Sequence, residues 1–156
     1  MKLERTNNME IVRSILLHPK IYPHIHDDNV TGCEPIDHPE SHWMLVIENE
    51  PVGVFMLHPT TTSCYEIHTC LMPVIWGEKS SSAARMILHH AFSIPKCKKL
   101  ITRVPAYNRA ALRFAKSAGL QIEGVNRKSY LHENKLEDQI MLGITEQEWL
   151  CQCYQQ

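Results

Sequence analysis

The sequence predicts an α/β fold in which a mixed, twisted central sheet carries helices on both faces. Extended runs at 42–48, 52–57 and 63–72 precede Pro73, and the apolar residues change to helical spacing after it. Two strand–helix units and a closing pair of strands then follow. This order is typical of a sheet with both antiparallel and parallel neighbours. Because the connectivity changes at Pro73, we expect the strands near 63–72 and 99–104 to splay apart at their ends.

The first half of the chain begins with a predicted strand at 1–6 and a helix at 8–17. Asn7 and Glu10 resemble a capping pair for this helix, and Pro19 ends it. The other predicted segments of this half are a short helix or turn followed by a loop within 18–40, and strands at 42–48, 52–57 and 63–72.

The second half alternates helices and strands. Asn108 is placed to cap a helix, and Gly119 occupies the position of a C-cap glycine. The predicted segments are a loop at 73–79, a helix through about 93, a strand at 99–104, a helix from 108 to 118, strands at 121–131 and 135–144, and a last helical turn at 145–149.

Length and charge limit the classes of function. The 156 residues fit one domain, which we place at 1–156, and 44% of them are apolar. A formal net charge of −1 argues against a broad surface for nucleic acid or for an anionic membrane. The charged N-terminus lacks the apolar core of a signal peptide, and no stretch reaches the length of a membrane helix. We therefore expect a cytoplasmic protein.

Neither the cysteines nor the histidines predict a metal site or a disulfide framework. A chain of this size without a secretory signal is expected to keep its six cysteines, Cys33, Cys64, Cys70, Cys97, Cys151 and Cys153, as thiols. The spacing of the polar residues near the N-terminus matches no compact helical ligand pair, and we interpret them as loop residues: His24, His26, Asp27, Asp28, His38 and His42.

The junction between strand and helix at 66–88 is the segment best suited to chemistry. The first N–H groups of a helix lack intrahelical partners, and the helix dipole favours an anion there. Gly77 permits close approach of the backbone, Lys79 can neutralise phosphate, and the serines of 80–82 can donate hydrogen bonds. The alternative is a capped helix that binds nothing.

Several segments of the chain, in order, resemble the GNAT superfamily and, within it, the Rim-type protein N-terminal acetyltransferases. The first match is Glu66-Ile67-His68-Thr69-Cys70-Leu71-Met72-Pro73-Val74-Ile75-Trp76-Gly77, where the family has a Glu-Ile-Gly strand, a Pro and then Arg-Gly-x-Gly. Further matches are 104–111, 116–120, Glu123-Gly124, Tyr130, Asp138 and Glu148-Trp149. The resemblance implies the GNAT acyl-CoA N-acyltransferase fold.

Three positions depart from the family pattern. The loop arginine of the family falls on Trp76, and its second loop glycine falls on Lys79. Lys79 could supply charge but not the same backbone geometry. The tyrosine that many relatives use as a general acid falls on Ala115, a position at which Rim-type members often lack it too.

The resemblance implies transfer of an acetyl group from acetyl-CoA to an amine, such as a protein N-terminus or a small molecule. Glu66 is the first candidate for the general base, and His68, on the same strand face, is the second. The implied cofactor-binding residues are Cys70, Leu71, Met72, Trp76, Gly77, Glu78, Lys79, Ser80, Ser81, Ser82 and Asn108.

A second interpretation keeps the fold without the reaction. The segment 21–28 resembles small GNAT-like proteins of short-tailed phages, some of them associated with head assembly. The chain would then be a binding or assembly protein in a host cytoplasm or a virion. Its partners would be a phage structural protein or, in a homodimer, a second copy of itself.

Overall fold

The computed structural model describes residues 1–28, 34–35 and 38–154. Its elements are β1 Lys2–Arg5, α1 Met9–Leu16, β2 His42–Ile47, β3 Pro51–Pro59, β4 Cys64–Leu71, α2 Glu78–Ser93, β5 Lys99–Pro105, α3 Arg109–Ser117, β6 Gln121–His132, β7 Lys135–Thr145 and α4 Glu146–Tyr154. Short 3-10 turns occur at Tyr22–His24 and Pro73–Ile75. Part of the segment predicted as loop at 18–40, including Cys33, lies outside the described residues.

The strands form one seven-stranded sheet in the order β1-β2-β3-β4-β5-β7-β6. β4 and β5 run parallel, and the other neighbouring pairs of this sheet are antiparallel. The prediction of a mixed sheet is therefore confirmed, with the parallel pair where the connectivity changes.

Alternation along β3 divides the core between the two faces of the sheet. Phe55 and Leu57 pack with Ile87 and Leu88 of α2 and with residues of α3 and α4. Val54 and Met56, on the opposite face, pack with residues of α1. Helices thus cover both faces, as the sequence predicted, because successive strand residues point to opposite sides.

Two predicted helix boundaries at the ends of the chain were wrong. The cap of α1 is Asn8, not Asn7, and its Oδ1 accepts hydrogen bonds from the backbone N–H groups of Glu10 and Ile11. The final helical turn, predicted to end at 149, continues as α4 to Tyr154. It begins with a reciprocal cap, in which Glu148 N–H donates to Thr145 Oγ1 and Thr145 N–H donates to Glu148 Oε2.

The predicted loop at 73–79 was wrong at its C-terminal end. Ile75 is fully buried and anchors the 3-10 turn at Pro73–Ile75 to the core. Gly77 then adopts φ +90°, ψ −133°, a conformation that strongly favours glycine, and α2 begins at Glu78. Glu78 and Lys79 therefore belong to the first turn of the helix.

Within the described part of the chain, free thiols are carried by Cys64, Cys97, Cys151 and Cys153. None of the helices in the described ranges combines the length and the apolar character needed to cross a bilayer.

Gly53 of β3 allows the close contact between β3 and the end of β4. A Cβ at this position would lie 2.7 Å from Leu71 Cδ2 and 2.9 Å from the carbonyl oxygen of Cys70. We predict that Gly53→Ala lowers the free energy of unfolding by about 1–3 kcal/mol, because the partner backbone must move. Urea denaturation would measure the loss.

Gly124→Ala is the matched control, because a Cβ at Gly124 of β6 would have no heavy atom of another residue within 4 Å. Its effect on stability should be small, or slightly stabilising by roughly 0.5 kcal/mol. Equal stability changes in the two variants would contradict the steric explanation.

Candidate active site

β4 and β5 separate soon after they begin to pair. Their parallel register consists of three residue pairs, Cys64–Lys99, Tyr65–Leu100 and Glu66–Ile101. Beyond them, β4 continues to Leu71 against β3, and β5 continues to Pro105 against β7. The predicted splay is therefore confirmed, and it leaves a gap between the C-terminal halves of the two strands.

The gap exposes one edge of the β4 backbone. Met72 N–H donates to the carbonyl of Val52 over 2.9 Å, so the backbone groups of Met72 point towards β3. Because these groups alternate in direction along a strand, those of residues 67, 69 and 71 point away from β3. The N–H of residue 67 faces Ile101, the last paired residue of β5, and the other groups face the gap. They form a row of donors and acceptors along which an extended molecule could bind as an added strand.

The loop after β4 contributes a side chain to this edge. The indole Nε1–H of Trp76 donates to the carbonyl oxygen of Leu71 over 2.8 Å. Trp76 is otherwise well exposed, at 56% of its surface. One of the gap-facing backbone acceptors is therefore already hydrogen-bonded within the chain.

The N-terminus of α2 lies at the end of the same loop. Gly77 is its N-cap residue, and no side chain caps the first N–H groups of the helix. Ser80 is buried and its hydroxyl donates to the carbonyl of Gly77 over 2.6 Å. Lys79 forms a 2.9 Å ion pair with Glu48 of the β2–β3 turn. The helix end has the N–H groups and dipole that favour an anion, but Glu78 and Glu48 place negative charge nearby.

The structure brings the predicted cofactor-binding residues to the two sides of the gap. One side carries the end of β4, the loop and the first turn of α2, with Cys70, Leu71, Met72, Trp76, Gly77, Glu78, Lys79, Ser80, Ser81 and Ser82. Asn108 follows β5 on the other side, where it caps α3 as predicted. Its Oδ1 accepts a hydrogen bond from Ala111 N–H over 3.0 Å. Their roles in binding a cofactor stay predictions.

Glu66, the last β4 residue paired with β5, forms a bidentate ion pair with Arg103. Arg103 Nε and Nη2 donate to the two carboxylate oxygens over 2.9 and 2.6 Å. The Glu66 side chain is 6% exposed and that of Arg103 is 44% exposed. Burial alone would raise the pKa of Glu66, but the hydrogen bonds from Arg103 and the nearby positive charges outweigh it and lower the pKa. Glu66 is therefore a carboxylate at neutral pH.

His68 lies beside this ion pair on the same strand face. Its Nε2 is 3.9 Å from Glu66 Oε1, and about half of its side chain, 49%, is exposed. Desolvation lowers the pKa of His68, the carboxylate of Glu66 raises it, and Arg103 and His58 lower it further, with a net decrease. The imidazole is therefore neutral at pH 7 and can accept a proton.

Two of these neighbours were missed by the reasoning from sequence. Arg103 lies two residues beyond Ile101, the register partner of Glu66, so strand alternation places it on the Glu66 face. That signal was present in the sequence, but it needed the register of the parallel pair. His58 is the cross-strand partner of Glu66 in β3, and its Nδ1 lies 2.9 Å from Ser41 Oγ.

The N-terminal polar segment has a structural role. We call residues 22–28 the strap. Ile21 and Ile25 pack in the apolar cluster that contains Cys70, so the strap lies on the sheet face of Glu66 and His68. It is fastened to the β6–β7 hairpin by Tyr130 Oη–H to the carbonyl of His26 at 2.6 Å, Leu131 N–H to Asp27 Oδ2 at 2.9 Å, and Asn134 N–H to Asp28 Oδ2 at 2.7 Å. Among the described residues, no three His, Cys, Asp or Glu side chains are grouped as a metal site would require.

Sequence comparisons identify no relative. No protein-family profile matches the chain, and no curated protein matches it by sequence.

Solved structures do match. The spermidine N-acetyltransferase of Vibrio cholerae, in complex with CoA and spermine, aligns over 96% of this chain and 97% of its own, with a TM-score of 0.78 and 14% identity. A mutant of that enzyme aligns over 98% of this chain and 99% of its own, with a TM-score of 0.81 and 13% identity. A GNAT-family acetyltransferase of Bacillus anthracis is 25% identical over 69% of this chain and 67% of its own, with a TM-score of 0.60. The chain therefore has the GNAT acyltransferase fold.

Proposed function

We propose that the protein is an N-acetyltransferase that transfers the acetyl group of acetyl-CoA to an amine. The observation that carries the proposal is the gap between β4 and β5, with an open strand edge on one side and an uncapped helix N-terminus at its end. An extended amide-containing arm and a pyrophosphate need these two features in this order. A structural neighbour, the Vibrio cholerae enzyme, binds CoA.

Within this proposal, the pantetheine arm adds to β4 along residues 67–71. The pyrophosphate lies over the first turn of α2, near Ser80, Ser81 and Ser82. The backbone N–H of Leu71 points into the gap, where it can stabilise the negative charge that develops on the thioester oxygen. Asn108, on the opposite side, helps to hold the arm.

The reaction requires an unprotonated amine, because an ammonium has no lone pair with which to attack. We propose that His68 takes the amine proton, directly or through a water molecule, and that Glu66, held in place by Arg103, positions His68 and favours its protonated form. The amine nitrogen bonds to the acetyl carbon and gives up a proton to His68, the C–S bond breaks, and the CoA thiolate takes a proton from the imidazolium, which returns His68 to its neutral form. The sequence made Glu66 the first candidate for the general base and His68 the second. Because Glu66 is held in an ion pair with Arg103, we propose the reverse order.

The acceptor is proposed only as a class. The Vibrio cholerae neighbour has spermine bound, and the resemblance to Rim-type proteins points instead to protein N-termini. Both are primary amines, and both are compatible with a neutral imidazole as the proton acceptor.

The alternative is a binding or assembly protein that keeps this fold without turnover. Two observations favour it: the Leu71 carbonyl is already hydrogen-bonded to Trp76, and Lys79 is already paired with Glu48. It predicts no release of CoA thiol with any amine.

Calorimetry with acetyl-CoA and a thiol-release assay with polyamines and short peptides test the proposal. Acetyl-CoA at 100 times its Kd should stabilise the fold by about 2.7 kcal/mol. Absence of binding at millimolar acetyl-CoA would rule out the enzyme. Binding without thiol release from any acceptor would support the binding protein.

Removing either partner of the ion pair between Lys79 and Glu48 should change the affinity for acetyl-CoA, in opposite directions for the two partners. Lys79→Gln should weaken acetyl-CoA binding roughly 2- to 5-fold, because it removes a cation from the pyrophosphate site. Glu48→Gln should strengthen binding by a comparable factor, because it frees Lys79 and removes a like charge. Calorimetry at low ionic strength would measure both. A weakening in both variants would place the pyrophosphate elsewhere.

The roles of His68 and Glu66 give a prediction in the pH profile. His68→Gln should lower kcat about 10²- to 10⁴-fold, and Glu66→Gln should lower it less. Because the pKa of His68 is lowered, kcat of the unmodified protein should fall only below pH 6.5, as the imidazole takes up a proton. His89→Gln, an exposed change on α2, is the control. A larger loss in Glu66→Gln, with a profile that falls only below pH 4.5, would return the role of base to Glu66.

A further inference from the structure

The side chain of Trp76 is hydrogen-bonded to one of the backbone acceptors that face the gap between β4 and β5. Its Nε1–H donates to the carbonyl oxygen of Leu71 over 2.8 Å. We infer that this indole gates the gap, and that a cofactor arm binding along β4 must displace it. The inference rests on the proposed function, because the arm in question is the pantetheine of acetyl-CoA.

The competition follows from the direction of the carbonyl. Leu71 is one of the residues whose backbone groups point away from β3 and into the gap. A strand added there would direct its N–H groups at the same oxygen that the indole now uses. Although a carbonyl oxygen can accept two hydrogen bonds, the indole Nε1 lies 2.8 Å from this one, so the ring takes up space beside Leu71 where the arm would run. The Leu71 site therefore cannot accommodate both in this conformation.

The loop allows the Trp76 side chain to move while its backbone stays in place. Ile75 is fully buried, and Trp76 N–H donates to the carbonyl of Pro73 over 3.1 Å, so both ends of the turn are held. The Trp76 side chain, by contrast, is mainly exposed. Displacement thus needs a change of side-chain rotamer, with the loss of one hydrogen bond that water can replace.

The test compares two ligands in two proteins. Trp76→Phe keeps an aromatic ring and removes the donor, so it should bind CoA about 2- to 10-fold more tightly, the range expected for one net hydrogen bond. Adenosine 3′,5′-bisphosphate carries the nucleotide end of CoA without the pantetheine arm. Its affinity should be the same in both proteins, because it cannot reach the Leu71 carbonyl. Val74→Ala, an exposed change on the same loop, should alter neither affinity.

A spectroscopic readout follows the indole itself. The chain has three tryptophans, of which Trp43 and Trp149 are buried and Trp76 is exposed. In protein labelled with 5-fluorotryptophan, the resonance of Trp76 is the one that is lost in Trp76→Phe. It should shift on addition of CoA and stay in place on addition of the bisphosphate.

Three results would overturn the gate. The first is equal CoA affinity in wild type and Trp76→Phe, and the second is an equal increase in affinity for CoA and for the bisphosphate in Trp76→Phe. The third is a Trp76 resonance that does not shift when CoA is added. In each of these cases CoA still binds and the proposed function survives. If neither protein binds CoA, while melting curves show both to be folded, the proposed function fails and the gate fails with it.

Discussion

The ion pair between Glu66 and Arg103 joins β4 and β5 at the point where their backbone pairing ends. The two strands leave one another after Glu66–Ile101, and a side-chain bridge with two hydrogen bonds spans the base of the fork. Such bidentate pairs fix the relative orientation of both groups. The carboxylate is nearly buried, so the loss of Arg103 would leave a charge with little access to water. The bridge therefore ties the two strands together where the gap opens, and His68 lies beside it.

The opening of the sheet leaves backbone groups that need partners. In a closed sheet, the gap-facing groups of 69 and 71 and the carbonyl of 67 would bond to β5. Here water, the Trp76 indole or a ligand must satisfy them. The same requirement applies to the first N–H groups of α2, which lack a side-chain cap. The strand edge and helix end that define the proposed cofactor site are thus two places, among the described residues, where backbone groups are left for water or a ligand.

Much of this architecture could be predicted from the sequence, because the signals are local. The change of period after Pro73 predicted both the mixed sheet and the splay, and Asn108 was recognised as a cap from its position before an apolar stripe. The pairing of Lys79 with Glu48 and the bond from Trp76 to Leu71 could not be predicted. Each depends on how a turn places a side chain against its partner, which the sequence pattern does not give. The position of Arg103 could be predicted in part, because the alternation of side chains along β5 places it on the Glu66 face once the register of β4 and β5 is known.

The strap has a consequence for the order in which the chain folds. Its contacts with the β6–β7 hairpin join residues 104 and 106 positions apart. Contacts of such sequence separation carry a large loop-closure cost and form slowly. At a synthesis rate of about 5–20 residues per second, the strap leaves the ribosome several seconds before the hairpin does. The strap therefore cannot be fastened over the sheet face of Glu66 and His68 until the C-terminal hairpin has emerged.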